Sequence, residues 1–242
     1  MIVSHRHRFI FIKSAKTAST SVELMLSKIC GPDDILTPLA PFDDRFDADY
    51  YEYQPRNCEG FQNHMSAIAI KNKVGEVVWN QYLKITIVRN PWDMVVSRYY
   101  WEKARLWPSI GKNVANIMRE PFAIVRYKRL LHRIKLIFVL SSFSNFIRYF
   151  DKTWTNSRFY FDEEGKPICD VYLRFENLNK GINDLEKMLG IQLGDLPRLK
   201  SKPRKGKKHY SQYFNKQQKE RVEKLFKHEI EVFGYTFEQV NQ

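Results

Sequence analysis

No glycine occurs between Met1 and Cys30. That absence excludes a GxxxxGK[ST] phosphate loop there and so disfavours an ATP or GTP hydrolase. Cysteine is scarce too. The three present, Cys30, Cys58 and Cys169, are far apart, odd in number and without CxxC spacing. A structural zinc site and a disulfide framework are both unexpected; reduced thiols in a cytoplasm are the simpler reading. Long apolar runs are missing. The most apolar later stretch, 136–140, falls far short of the ~20 residues that span a bilayer. The N-terminus passes directly into apolar residues 9–12, without the h-region and cleavage site of a signal peptide. A soluble, cytoplasmic protein is the expectation. Negative charge is the last shortage. Against 40 Lys and Arg stand 27 Asp and Glu, a formal net charge of +13. Such a balance attracts polyanions: nucleic acid, acidic membrane, anionic glycan or a nucleotide with several phosphates.

What is present is a globular composition, 43% hydrophobic and 14% aromatic over 242 residues. Residues 9–12 and 83–88 read as buried strands, and residues 171–175 and the aromatic residues 159–161 as further strands. Val22, Met25, Leu26 and Ile29 mark one face of a helix, with Thr20 and Glu23 at capping-box spacing and Gly31-Pro32 ending it. Further helices are expected over 66–82, after Pro91, over 179–189 and as one terminal helix over 215–233. Residues 106–150 read as helical pieces broken near Pro108, Gly111 and Pro121. Strands alternating with helices predict a single α/β domain over 1–242, three-layered with a central parallel sheet.

Two segments carry chemistry. The first strand enters a turn and a helix start, where backbone N–H groups and the helix dipole favour an anion. The turn adds Lys16 and the hydroxyls of Thr17, Ser19, Thr20 and Ser21. A hydroxyl-rich N-cap with a chance lysine is the plain alternative. The strand over 83–88 then delivers Arg89 to the carboxyl end of the sheet, where open α/β sheets bind ligands. Its planar fork suits a phosphate. Ser97, eight residues on, is within helical reach of the same anion. An ordinary Arg89–Asp93 surface pair is the alternative here. Two anion sites at two strand ends suit a ligand with two separated phosphate groups, as in 3′-phosphoadenosine 5′-phosphosulfate (PAPS).

Residues 11–21 resemble the phosphosulfate loop of carbohydrate sulfotransferases, closest to heparan sulfate 2-O-sulfotransferases and bacterial relatives. Residues 87–97 resemble that family's 3′-phosphate segment, and 173–178 and 210–237 add further similarity. The resemblance implies a P-loop-like phosphosulfate-binding loop and PAPS as sulfuryl donor. It gives Lys16 the role of stabilising the leaving phosphate. Thr17, Ala18, Ser19, Thr20 and Ser21 would hold the 5′-phosphate, and Arg89 and Ser97 the 3′-phosphate. Lys13 would help bind donor or acceptor. His64 stands where relatives carry a catalytic base, although Gln62 replaces the first histidine of their His-x-His pattern. The chemistry requires no metal. A hydroxyl acceptor is implied, with a glycan expected.

Other features keep two readings. A lone histidine is often a hydrogen-bonded structural residue. The 200–208 loop holds six basic residues. It is either a solvated charge run or a lid in which Lys205 contacts the 3′-phosphate. The basic cluster at 126–135 lies within the 106–150 segment expected to shape the acceptor site, and is otherwise a wet helix face. Two rival functions remain: a nucleotide-dependent phosphotransferase, weakened by the missing glycines and magnesium site, and a basic nucleic-acid-binding protein, which leaves both strand-end motifs unexplained.

Overall fold

The computed structural model describes residues 1–39, 53–119, 131, 134–197 and 208–238. The strands are β1 Ile2–Ser4, β2 Phe9–Phe11, β3 Ile35–Leu36, β4 Leu83–Val88 and β5 Val171–Arg174. The helices include α1 Ser19–Ser27, α2 Ala67–Gln81, α3 Pro91–Arg119, α4 Phe143–Tyr149, α5 Ser157–Tyr160, α6 Leu178–Leu189, α7 Lys216–Leu225 and α8 Lys227–Phe233. The chain divides into two compact units, residues 1–90 with 156–201 and residues 91–155 with 202–242.

The first unit holds the sheet, in the order β3-β1-β2-β4-β5. Strands β2, β4 and β5 are parallel, with Phe11 beside Ile85 and Ile87 beside Leu173. Strand β1 is antiparallel to both β2 and β3. The α/β class is as expected, but the sheet is mixed rather than wholly parallel. Only four residues separate β1 from β2, and so short a connection joins antiparallel neighbours.

Phe9, Ile10 and Phe11 are fully buried, as an unbroken apolar strand requires. Alternate residues face one way. Phe9, Phe11, Ile85, Ile87 and Leu173 share a core cluster with Val22 and Met25 of α1 and Ile182 and Leu185 of α6. Helix α6 approaches β5 closely at Gly181, where a Cβ would come within 3.1 Å of Leu173 Cδ2.

The second unit is helical, with an aromatic core that includes Trp92, Tyr99, Phe146, Phe150, Tyr210 and Phe226. Arg221 donates to Ile147 O, Arg148 O and Phe150 O at 2.7, 2.9 and 3.0 Å, satisfying carbonyls at the end of α4. Asn215 and Gln218 form a capping box at the start of α7.

Several local expectations are corrected. Residues 159–161 are not a strand. Phe159 and Tyr160 belong to the single turn of α5, and Phe161 makes only an isolated bridge to Pro167. All three rings are buried, and a short apolar run does not by itself distinguish strand from helix. The proposed capping box at Thr20 and Glu23 is absent. Helix α1 begins at Ser19 with Ala18 as its N-cap, so Thr20 lies inside the helix rather than at its cap, and Glu23 is drawn into a buried ion pair with Lys13. Helix α1 stops at Ser27, before Gly31. Helix α3 runs through Pro108 and Gly111; one lost hydrogen bond and one glycine are penalties that a 29-residue helix absorbs. Pro121 lies outside the described residues. The terminal helix is two, with non-helical backbone at Phe226.

Leu185 is fully buried and Met188 is 63% exposed on the same helix. Leu185→Ala is expected to cost about 2–5 kcal/mol and Met188→Ala less than about 0.5 kcal/mol, read by denaturant unfolding.

Candidate active site

Because β2 and β4 are parallel neighbours, both end at one sheet edge. Residues 12–18 leave β2 there and lead into α1, and Arg89 leaves β4 there. Ligands of open α/β sheets bind at such an edge.

The turn is built without glycine. Lys16 (φ 63°) and Ala18 (φ 60°) adopt left-handed backbone, at roughly 1–2 kcal/mol per non-glycine residue. A set of polar contacts holds that shape. Ser14 Oγ donates to Ile87 O at 2.7 Å and lies 2.7 Å from Thr17 Oγ1. Ser19 Oγ donates to Ser14 O at 2.6 Å. Asn156 clasps Ala15 from both sides. Its Oδ1 accepts from Ala15 N–H at 3.0 Å, and its Nδ2 donates to Ala15 O at 2.8 Å. Arg89 donates to Lys16 O at 2.6 Å while its guanidinium lies 3.8 Å from the centroid of Phe175. The second sequence segment is thereby fastened to the first.

Lys16 and Ala18 are half-buried. Thr17, Ser19, Thr20 and Ser21 are buried around them. Thr17 and Ser19 direct their hydroxyls to Ser14, so they shape the turn. Lys13 has a different place from that of an open ligand-binding lysine. It is 1% exposed, and its ammonium contacts Glu23; burial and that pairing direct it into the interior. Ser97 is half-buried in the second turn of α3, in the second unit. Lys205, with residues 198–207, lies outside the described residues, as does much of the 126–135 cluster.

His64 also has left-handed backbone, at φ 58°. Its Nδ1 lies 3.0 Å from Lys13 O. A carbonyl only accepts, so Nδ1 carries the hydrogen and Nε2 keeps its lone pair. Burial, reinforced by the Lys13 ammonium, lowers the imidazole pKa to about 4. The ring is therefore neutral across the physiological range. Arg158 rests 3.5 Å from His64 O. Five non-glycine residues have positive φ among the described residues, and Lys16, Ala18 and His64 are three of them. Backbone strain gathers where chemistry needs fixed geometry.

Sequence reasoning missed Ser14, Glu23, Asn156 and Phe175. Ser14 lies inside the motif but lacks a distinguishing neighbour. Asn156 stands 141 residues from its partner and carries no local signal. Glu23 has capping-box spacing, which points to the wrong partner. Among the described residues, no cluster of three His, Cys, Asp or Glu side chains is placed to hold a metal ion, and no helix is long and apolar enough to cross a membrane.

The model of the sulfotransferase family matches residues 1–236. The chain belongs to the sulfotransferase family. No curated protein and no solved structure matches it.

Two expectations follow for this sulfotransferase. Asn156→Ala strands the N–H and C=O of Ala15 and should cost about 1–3 kcal/mol, with faster hydrogen exchange at the Ala15 amide. The fold favours neutral His64, so its contribution is complete above pH ~6.5 and is lost as pH falls toward about 4. Urea unfolding from pH 7 to 4 should therefore show a loss of order 3 kcal/mol in the wild type that His64→Gln lacks.

Proposed function

We propose that this protein transfers a sulfuryl group from PAPS to a hydroxyl, with a carbohydrate as the acceptor class. The observation that carries the reading is the pairing of two elements at one sheet edge: a strained, lysine-bearing turn at a helix start, and a neutral histidine whose Nδ1 is committed to a carbonyl.

In the proposed reaction, His64 Nε2 takes the proton of the acceptor hydroxyl as that oxygen forms its bond to sulfur. The bond from sulfur to the bridging phosphate oxygen breaks. Lys16 stabilises the charge developing on that oxygen, and adenosine 3′,5′-bisphosphate leaves. His64 returns the proton to solvent. The start of α1 and the hydroxyls of Thr20 and Ser21 serve the 5′-phosphate, with Thr17, Ala18 and Ser19 forming the turn that presents them. Arg89 serves the 3′-phosphate. Positioning and charge stabilisation supply most of the acceleration in such a transfer, by analogy with phosphoryl transfer. The scheme uses no metal. The net charge of +13 supports an anionic acceptor such as an acidic glycan.

Adenosine 3′,5′-bisphosphate should raise the melting temperature at millimolar concentration, while ATP does little. No stabilisation by the bisphosphate would remove the donor assignment. Lys16→Ala should lower kcat by roughly 10²- to 10³-fold and His64→Ala by roughly 10²- to 10⁴-fold, each with a cooperative unfolding transition. Wild-type turnover in either variant would take that residue out of the mechanism.

A further inference from the structure

The proposed base and the anion-binding turn share a buried charge pair. Glu23, on α1, is fully buried, and its Oε2 contacts Nζ of the equally buried Lys13. Its Oε1 lies 2.5 Å from the α-ammonium of Met1, and Tyr53 Oη lies 3.5 Å from the same oxygen. Lys13 precedes the turn and Glu23 follows it, so the pair spans the turn. The backbone carbonyl of Lys13 receives His64 Nδ1.

Stability alone does not account for this arrangement. Desolvating two charges is costly, and a buried ion pair is often replaceable by apolar groups without loss. Burial works to raise the Glu23 pKa, yet the Met1 ammonium and Lys13 together hold it below the ordinary value. Glu23 therefore stays ionised and keeps the Lys13 side chain directed inward.

We infer that Lys13 and Glu23 are positioning residues for the sulfuryl-transfer reaction. Their ion pair fixes the Lys13 backbone so that its carbonyl holds His64 in the Nδ1–H tautomer, with Nε2 available to the acceptor hydroxyl. The inference rests on the reading of His64 as the base. Lys13 also acts on the ring through space. Among the described residues, the charged groups that act on His64 include Lys13, the Met1 ammonium and Glu23, with Arg158 at its carbonyl. Burial is the largest influence and Lys13 the next. Removing the Lys13 ammonium therefore brings His64 part of the way back toward its ordinary pKa.

The test follows His64 by nitrogen-edited NMR and measures turnover on the same samples. In Lys13→Met, where Glu23 keeps the Met1 ammonium, the His64 midpoint should rise from about 4 and the Nδ1–H tautomer should lose population. kcat should fall roughly 10- to 100-fold, with the affinity for adenosine 3′,5′-bisphosphate nearly unchanged. Lys13→Arg should restore the wild-type titration. If Lys13→Met does not fold, Lys13→Gln, which keeps a polar group against Glu23 while Glu23 retains the Met1 ammonium, provides the tautomer measurement. A His64 tautomer and titration identical to wild type in the folded variant would overturn the inference. A shifted titration in a protein whose wild type transfers no sulfuryl group would leave the coupling intact and overturn the functional reading instead.

Discussion

The parallel pairing of β2 with β4 is the constraint on which the rest of the first unit depends. Parallel neighbours finish at the same edge, so the turn after β2 and Arg89 after β4 come together although Arg89 and Lys16 are 73 residues apart. The sheet also supplies acceptors to the turn. Ile87 O receives both Ser14 Oγ, at 2.7 Å, and Tyr160 Oη, at 2.8 Å. The turn is thus built onto β4 as much as onto β2, and its geometry follows from strand register rather than from glycine.

The electrostatics are arranged in layers. Lys16 is half-buried at the turn, whereas Lys13 is enclosed with Glu23. Two lysines three residues apart are thereby given different jobs. In the proposed reaction Lys16 serves the developing negative charge. The other is neutralised, and its backbone meets the proposed base. A neutral imidazole is a weak base, but it is in the correct protonation state at neutral pH, and a fixed tautomer removes one reorganisation step from proton transfer. The left-handed backbone of Lys16, Ala18 and His64 is the conformational cost of that arrangement.

The fold was legible where local pattern and burial agree. Strand β4 matches its expected bounds because an apolar run is a local signal; the helical stretch α2 starts and ends within a residue of expectation, but non-helical backbone at Gly75 (φ 79°, ψ 161°) kinks it in the middle. The turn was legible because Lys16 and its hydroxyls stand between an apolar strand and an amphipathic helix. Other features were set by distant partners. No local pattern shows that Lys13 is buried; its partner Glu23 carried a capping-box signal instead. Asn156 closes on Ala15 across 141 residues, which no motif reports. The rings of 159–161 gave an apolar signal without its geometry, and the antiparallel β1 was hidden in a short, ambiguous N-terminal run.

The proposed reaction is the movement of a sulfuryl group from a phosphosulfate to a hydroxyl oxygen. Incubation with sulfur-labelled PAPS and a panel of glycans, lipids and small hydroxyl compounds, followed by mass spectrometry, addresses it directly. The predicted result is label in an acceptor product, one adenosine 3′,5′-bisphosphate released per label, and none above background with Lys16→Ala. No labelled product from the wild type across the panel, together with magnesium-dependent ATP consumption, would contradict it.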